Sequence, residues 1–441
     1  MVSRRPVRGI PDILDGVAEL AAVRPSPRST HTSSTLRAKA RELDARDSLA
    51  PLRERFYCDP DILYFDGNSL GLLSRDAEAA LLRALDQWRR LAARAWLEAS
   101  PPWVDYGERL GDRVAALVGA EPGEVVVTGS TTVNLHHLVA ALYRPDEVRH
   151  VIVAAATEFP SDLHALTGQI ALQGRDPERS LRLIHPREGG LIEEADIESA
   201  IGQDTSLLVL SAIHFCTSQR LDMARLTRRA QAAGARVIWD LSHAVGVAPV
   251  ELNRIGADAA FWCHYKYLHA GPGAVGGLYL NGRHHGIRPA LPGWWGQTTE
   301  AKFEMSGRHA PAPGAAAWQI GTIPILAAAP LWGALDVVES AGIGRIREKS
   351  VALTSFLIEC VDRVLSEPMR VGSPRDPERR GGHVALECLG DAPAILTRLE
   401  SRGVVADYRP PNVLRLTPAP LTTRFEDVVR MVEVIGKEST K

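Results

Sequence analysis

Five short runs rich in β-branched residues constrain this chain most: EVVVT (124–128), RHVIVAA (149–155), SLLVLS (206–211), ARVIWD (235–240) and DAAFWC (258–263). Between them lie segments of about 15–35 residues that read as helical. Such alternation argues an α/β fold, a mostly parallel central sheet flanked by helices on both faces. Ligands of such sheets bind at the carboxyl ends of the strands, so the polar residues just after each run are the places to look.

The rest of the chain is organised around that unit. Residues 1–41 contain the Pro/Ser/Thr-rich stretch RPSPRSTHTSST and are expected to form an unstructured tail. Residues 42–335 are expected to form a large domain, opening with a segment over 42–75 and a long helical pattern over 76–99. In that pattern Leu81, Leu82, Leu85, Trp88 and Leu91 share one face. Residues 336–441 read as a smaller C-terminal α/β domain with strands HVALEC (383–388) and NVLRLT (412–417).

Charge and cysteine content exclude several function classes. With 51 Lys+Arg against 53 Asp+Glu, the 441-residue chain has no net field to hold nucleic acid or an anionic membrane. No apolar run approaches the ~18 residues of a transmembrane helix. Cys58, Cys216, Cys263, Cys360 and Cys388 are odd in number and lack CxxC spacing, which suits reduced thiols in a cytoplasmic protein. The pairs His136-His137 and His284-His285 lack metal-binding spacing, and no metal is assigned.

Chemistry concentrates in residues 235–280. Asp240 and His243 follow one run and Lys266 follows the next, so two strand ends converge on one cleft. Lys266 stands between Tyr265 and Tyr267, where burial favours a nucleophilic amine, a candidate Schiff-base former. Asp240 can face a pyridinium nitrogen. Taken singly, a lysine after a strand is more often a solvated loop residue. Gly271, Gly273 and Gly276 spell GxGxxG, but the strand-like VGGLYL follows where a dinucleotide site needs a helix.

Three upstream segments add to the cleft. Thr131 and Thr132 open a helix after Gly129 and Ser130 and can form an anion cup, although an ordinary capped helix would look the same. Phe159, in FPSD with Asp162, can stack on a ring or pack in the core. Ser211 ends another strand, where serine is usually a turn former.

In this order, the strings LDARDSLAPLRERF, FDGNSLG, STTVNL, FPSD, DLSHAVG, CHYKYLHAGPG, PGWWGQ, IGTIPI and RRGGHVAL resemble bacterial kynureninases. Through them they resemble the fold type I family of pyridoxal phosphate enzymes. The resemblance runs from about residue 42 to the C-terminus. It implies that Lys266 links to pyridoxal 5′-phosphate, Asp240 pairs with the pyridine nitrogen and Phe159 stacks on the ring. It also implies that Thr131, Thr132, Asp162, Ser211, His243 and Tyr265 line the ring and phosphate. Trp294 and Thr322 match residues that family members receive from the neighbouring subunit of a homodimer. Arg415 matches the arginine that grips the substrate α-carboxylate, and its plainer reading is a surface salt bridge.

The implied reaction is hydrolysis of L-kynurenine to anthranilate and L-alanine in tryptophan catabolism, with Tyr265 as candidate proton donor. Trp96 looks like the bacterial tryptophan flanking the substrate's aromatic end. Together with Gly321-Thr322, it favours kynurenine over its 3-hydroxy form. Two alternatives stand beside this reading: a related lyase for a modified aryl-ketone amino acid, and a non-catalytic cofactor-binding relative. Lys266, Tyr265, Asp240 and Arg415 argue against the second.

Overall fold

The computed structural model describes residues 27–187, 190–365 and 369–439. All five runs are strands: β1 (Val125–Val127), β2 (Val151–Ala155), β4 (Thr205–Ser211), β5 (Arg236–Asp240) and β6 (Ala259–Trp262). Two more, β3 (Leu181–Ile184) and β7 (Gly277–Leu280), complete one sheet in the order β1-β7-β6-β5-β4-β2-β3. Every neighbouring pair is parallel except the two made by β7. β3 escapes sequence reading because it is an edge strand, and three of its four residues are only half-buried. The central strands are buried along their length, as strands covered on both faces must be.

Seven helices matter here: α1 (Pro27–Ala45), α2 (Arg75–Leu91), α3 (Thr131–Leu142), α4 (Pro160–Leu172), α5 (Ile325–Ala341), α6 (Ile343–Val364) and α7 (Phe425–Glu438). Ser74 caps α2, its hydroxyl accepting from Ala77 N at 3.0 Å. The helix expected over 76–99 ends at Leu91, and two short turns carry the chain to Glu98. α2 packs on α5 through Ala77, Ala80 and Ala84, while Leu82, Leu85 and Trp88 point outward at 56%, 46% and 55% exposure. Its large apolar face is therefore the one turned away from this subunit's core.

The C-terminal sheet is antiparallel, with β8 (Met369–Val371), β9 (Val384–Cys388), β10 (Asp407–Arg409) and β11 (Val413–Leu416) in the order β10-β11-β9-β8. Leu353, Leu357, Leu386, Leu414, Val428 and Val432 form its core. Two boundaries differ from the sequence reading. The first core extends through α5 to Ala341, and α5 meets α6 at 78° across Gly342 rather than parting at 335. Leu63 and Phe65, from the segment over 42–75, belong to the second core.

A third correction concerns the tail. Residues 27–41 lie in α1, whose Leu36 and Ala40 are fully buried in the second core. Leu36 and Ala40 dock the helix with Leu43 beside them, an apolar signal that polar composition masks, and Arg37 and Lys39 bond to Glu433 and Glu359. Asp44 then accepts from the N–H groups of Phe425 (2.8 Å) and Glu426 (3.0 Å) at the start of α7. Residues 1–26 of the expected tail lie outside the described residues. Among the described residues no single helix is long and apolar enough to cross a membrane.

Candidate active site

A cavity of about 470 Å³ opens past the carboxyl ends of β1, β2, β5 and β6. Register sets Asp240 between Ser211 of β4 and Phe261 of β6, so the carboxylate stands at the ends of the central strands. Asp240 is 6% exposed, and its Oδ1 accepts from Ser242 N at 2.8 Å. Ser211 Oγ lies 3.4 Å from its Oδ2. Burial raises the Asp240 pKa, and the Lys266 ammonium opposes that rise.

Two further carboxyls stand near Asp240, Asp162 in the cavity lining and Glu158 buried behind it. Glu158 accepts from Ser211 N at 3.1 Å and from the Ser211 hydroxyl. Burial pushes its carboxyl up to about 7, against the Ser211 hydrogen bonds. Asp162, in the first turn of α4, is pushed well up by burial and by the charges of Asp240 and Glu158. Three buried carboxyls cannot all ionise at this spacing without a cation among them.

Glu158 has a measurable consequence for stability. Its folded-state pKa is raised, so its contribution to stability is complete below the ordinary carboxylate range and is lost as pH rises through about 7. Glu158→Gln should flatten the profile of Tm against pH over about pH 5 to 7. A variant whose Tm falls as steeply as wild type over that window would contradict the assignment.

Lys266 Nζ stands 2.9 Å from His243 Nε2 and 6.0 Å from the centroid of the Tyr265 ring. His243 is buried, and burial together with the Lys266 charge lowers its pKa well below the ordinary value. It is therefore a neutral acceptor for the amine. Its Nδ1 is buried without a partner. The FDGNSLG loop braces this wall, Gly71 N donating to Tyr265 O at 2.8 Å. A Cβ on Gly71 would meet Lys266 O at 2.4 Å, so only glycine permits that approach.

The opposite wall is suited to an anion. Ser130 stands at the N-cap of α3 without a side-chain capping bond, and Thr131 and Thr132 line the cavity beside first-turn N–H groups. A Cβ on Gly276 would sit 3.2 Å from Thr131 N, so glycine lets the chain before β7 pass close to this turn. Phe159 lies between the two walls, 42% exposed, with its edge against Phe215 at 5.3 Å. Arg415 enters from β11, 1% exposed, bonded through Nε to Asp407 Oδ1 at 2.7 Å and through Nη1 to Phe215 O at 2.6 Å.

A buried acid cluster, an exposed aromatic face, an uncapped helix start and an amine 2.9 Å from a neutral imidazole can together accept a cationic aromatic ring bearing an anionic tail and a carbonyl, the group that the sequence resemblance implies. Comparison with known proteins decides the family. The chain is 42% identical over 399 residues to the kynureninase of Geobacillus thermodenitrificans (strain NG80-2), covering 90% of this chain and 93% of that protein. It is 41% identical over 399 residues to the kynureninase of Bacillus cereus (strain ATCC 10987), with the same coverage. The chain belongs to the kynureninase family.

The family model for the kynureninase C-terminal domain matches residues 346–435. Among solved structures, the cysteine desulfurase of Thermococcus onnurineus NA1 superposes with a TM-score of 0.75 at 19% identity, covering 88% of this chain and 97% of that one. A C-DES mutant with glycine linked to its pyridoxal phosphate cofactor gives 0.74 at 20% identity, covering 86% and 99%. At such identities the likeness is one of fold. This kynureninase-family chain has the fold type I architecture of pyridoxal phosphate enzymes.

Within this family member the cavity gathers Thr131, Thr132, Phe159, Asp162, Asp240, His243, Tyr265, Lys266 and Arg415. Ser211 sits behind Asp240, holding Glu158 rather than facing the space. Three other candidates lie apart from the cavity in the single subunit. Trp96 packs against Trp295 at 5.2 Å and Trp103 at 5.7 Å. Trp294 is 46% exposed, its Nε1 donating to Lys302 O at 2.7 Å, and Thr322 is exposed. Sequence reasoning missed Glu158, Asn68, Ser69, Asp407 and Arg409. Asn68 and Ser69 lie within FDGNSLG, and Glu158 directly precedes Phe159.

Proposed function

We propose that the protein hydrolyses the Cβ–Cγ bond of L-kynurenine to give anthranilate and L-alanine, a step of tryptophan catabolism, with pyridoxal phosphate as cofactor. One observation carries the reading: Lys266, Asp240 and Arg415 line a single cavity in a chain 42% identical to a kynureninase over 90% of its length. Asp240 would hold the ring nitrogen, Phe159 the ring face, Thr131 and Thr132 the phosphate, and Lys266 the carbonyl carbon. Bound there, the cofactor supplies the electron sink that lets charge develop on the substrate's carbon atoms.

The chain's own groups handle protons and orientation. Lys266 moves the proton at Cα, and neutral His243 accepts a hydrogen bond from its amine. Burial, reinforced by Cys263 and Asp240, holds the Tyr265 phenol well above its ordinary pKa. Tyr265 therefore stays protonated at neutral pH and is the candidate donor for Cβ, its alternative role being to bind the phosphate. Trp96, which lies apart from the cavity in the single subunit, is assigned to the aromatic end of the substrate by family resemblance alone. Anthranilate fluorescence from kynurenine and 3-hydroxykynurenine in parallel tests the substrate assignment. Higher kcat/KM for kynurenine supports it, and turnover of neither, with a substituted analogue cleaved well, overturns it.

A homodimer belongs to the same proposal. The outward face of α2 and Leu291, Trp294, Phe303, Met305 and Ile320 are exposed apolar surface that a second subunit would cover. A second subunit covering it would bring Trp294 and Thr322 to the phosphate end of its neighbour's cavity. Mixing Lys266→Ala with Trp294→Ala subunits should restore activity, since one site per mixed dimer carries both native residues. No recovery, with subunit exchange shown by mass, would count against shared sites. A cytoplasmic location completes the reading, supported by five cysteines that stand as free thiols.

A further inference from the structure

Asp240 has a second carboxyl behind it. Glu158 sits between the end of β2 and the start of α4, 5% exposed and outside the cavity lining. Both of its carboxyl oxygens are held by one residue: Oε1 accepts from Ser211 N at 3.1 Å, and Oε2 accepts from the Ser211 hydroxyl. Ser211 is paired with Asp240 in the β4–β5 ladder, and its Oγ lies 3.4 Å from Asp240 Oδ2. A hydroxyl carries one proton, so two buried carboxyls face a single donor.

That proton has two settings. With Glu158 ionised it goes to Glu158, and Asp240 relies on the Ser242 N–H at 2.8 Å on its other oxygen. With Glu158 protonated, its own O–H can donate to Ser211 Oγ, and the Ser211 proton turns to Asp240. The other charged groups facing the pair are Asp162 in the first turn of α4 and Lys266 beyond β6. A glutamine would fill the same space and keep the bond from Ser211 N, so a carboxylate is not required to tie the β2–α4 turn to β4. An acid here instead sets a second negative charge beside Asp240, which costs energy unless a cation shares the site.

We propose that Glu158 is a positioning residue for Asp240: ionised, it draws the Ser211 proton to itself, leaves Asp240 the stronger acceptor and adds its own charge, so that the ring nitrogen of the bound cofactor keeps its proton. The inference goes beyond the reaction proposed above and rests on one part of it, the placement of the ring nitrogen at Asp240. Glu158 acts through Ser211 and from outside the cavity lining.

The test compares the affinities of the full-length protein for pyridoxal phosphate and for its 1-deaza analogue, in which a C–H replaces the ring nitrogen. Measurement at about pH 8 keeps the Glu158 carboxyl, pushed up to about 7 by burial, in its ionised form. The ratio of the two affinities isolates what the ring nitrogen contributes, whatever else a substitution does to the pocket. Wild type should prefer pyridoxal phosphate, and Glu158→Gln should cut that preference roughly tenfold, the effect of losing one buried neighbouring charge. Glu158→Asp, which keeps the charge, should recover most of it. A preference unchanged in Glu158→Gln, or two affinities that fall together, overturns the proposal and leaves Glu158 a structural tie. Asp240→Asn should abolish the preference. A preference that survives Asp240→Asn places the ring nitrogen elsewhere and overturns the placement on which the proposal stands.

Discussion

Lys266→Ala is expected to lower anthranilate release by roughly 10⁴-fold or more, since it removes both the covalent anchor and the group that moves the Cα proton. The surroundings make substitution by a neighbour implausible. His243, the group 2.9 Å away, is held neutral by burial, and Tyr265 is held protonated. Removing the ammonium also takes away the charge that favours ionised Asp240 and Asp162, so both carboxyls shift further toward their protonated forms. Absorbance of the lysine-linked cofactor should vanish with activity. Anthranilate release at the wild-type rate would show that Lys266 is not the reacting amine.

The second large effect is on stability. Arg415→Ala should cost about 3 kcal/mol of unfolding free energy, because it takes the bidentate partner from Asp407, leaving it Arg409 and Ser69, and leaves Phe215 O without its donor. Burial alone would raise the Asp407 pKa, but the Arg415 hydrogen bonds and the charges of Arg415 and Arg409 hold it below its ordinary value. A depressed carboxylate stabilises the fold above the ordinary carboxylate range, and that contribution is lost as pH falls through the folded pKa. The variant should therefore lose most stability at neutral pH and converge on wild type in acid. Arg415→Lys keeps a charge without the planar fork and should fall between the two. Denaturant unfolding at two pH values measures this, and a neutral-pH loss within about 0.5 kcal/mol would mark Arg415 as an ordinary surface ion pair.

What the sequence makes legible follows from how each signal is written. The central strands announce themselves because burial on both faces demands continuous apolar runs, and β3, half-exposed at the edge, does not. Lys266, Asp240 and His243 are legible because Asp240 ends one strand, His243 lies just beyond it and Lys266 lies just beyond the next, so short-range spacing places them in one cleft. Asp407 and Arg409 carry no such cue. Their chemistry depends on a cross-strand register with Arg415 that only the folded sheet supplies. Glu158 matters through a buried bond to Ser211, more than fifty positions along the chain. The outward face of α2 illustrates the reverse case, a clear apolar stripe whose burial the single subunit does not provide.

The most direct test of the whole account is anthranilate fluorescence on adding L-kynurenine to the purified protein loaded with pyridoxal phosphate. Release of anthranilate matched by an equal amount of L-alanine, and abolished in Lys266→Ala, is the predicted result. A protein that binds the cofactor yet leaves kynurenine intact would contradict it.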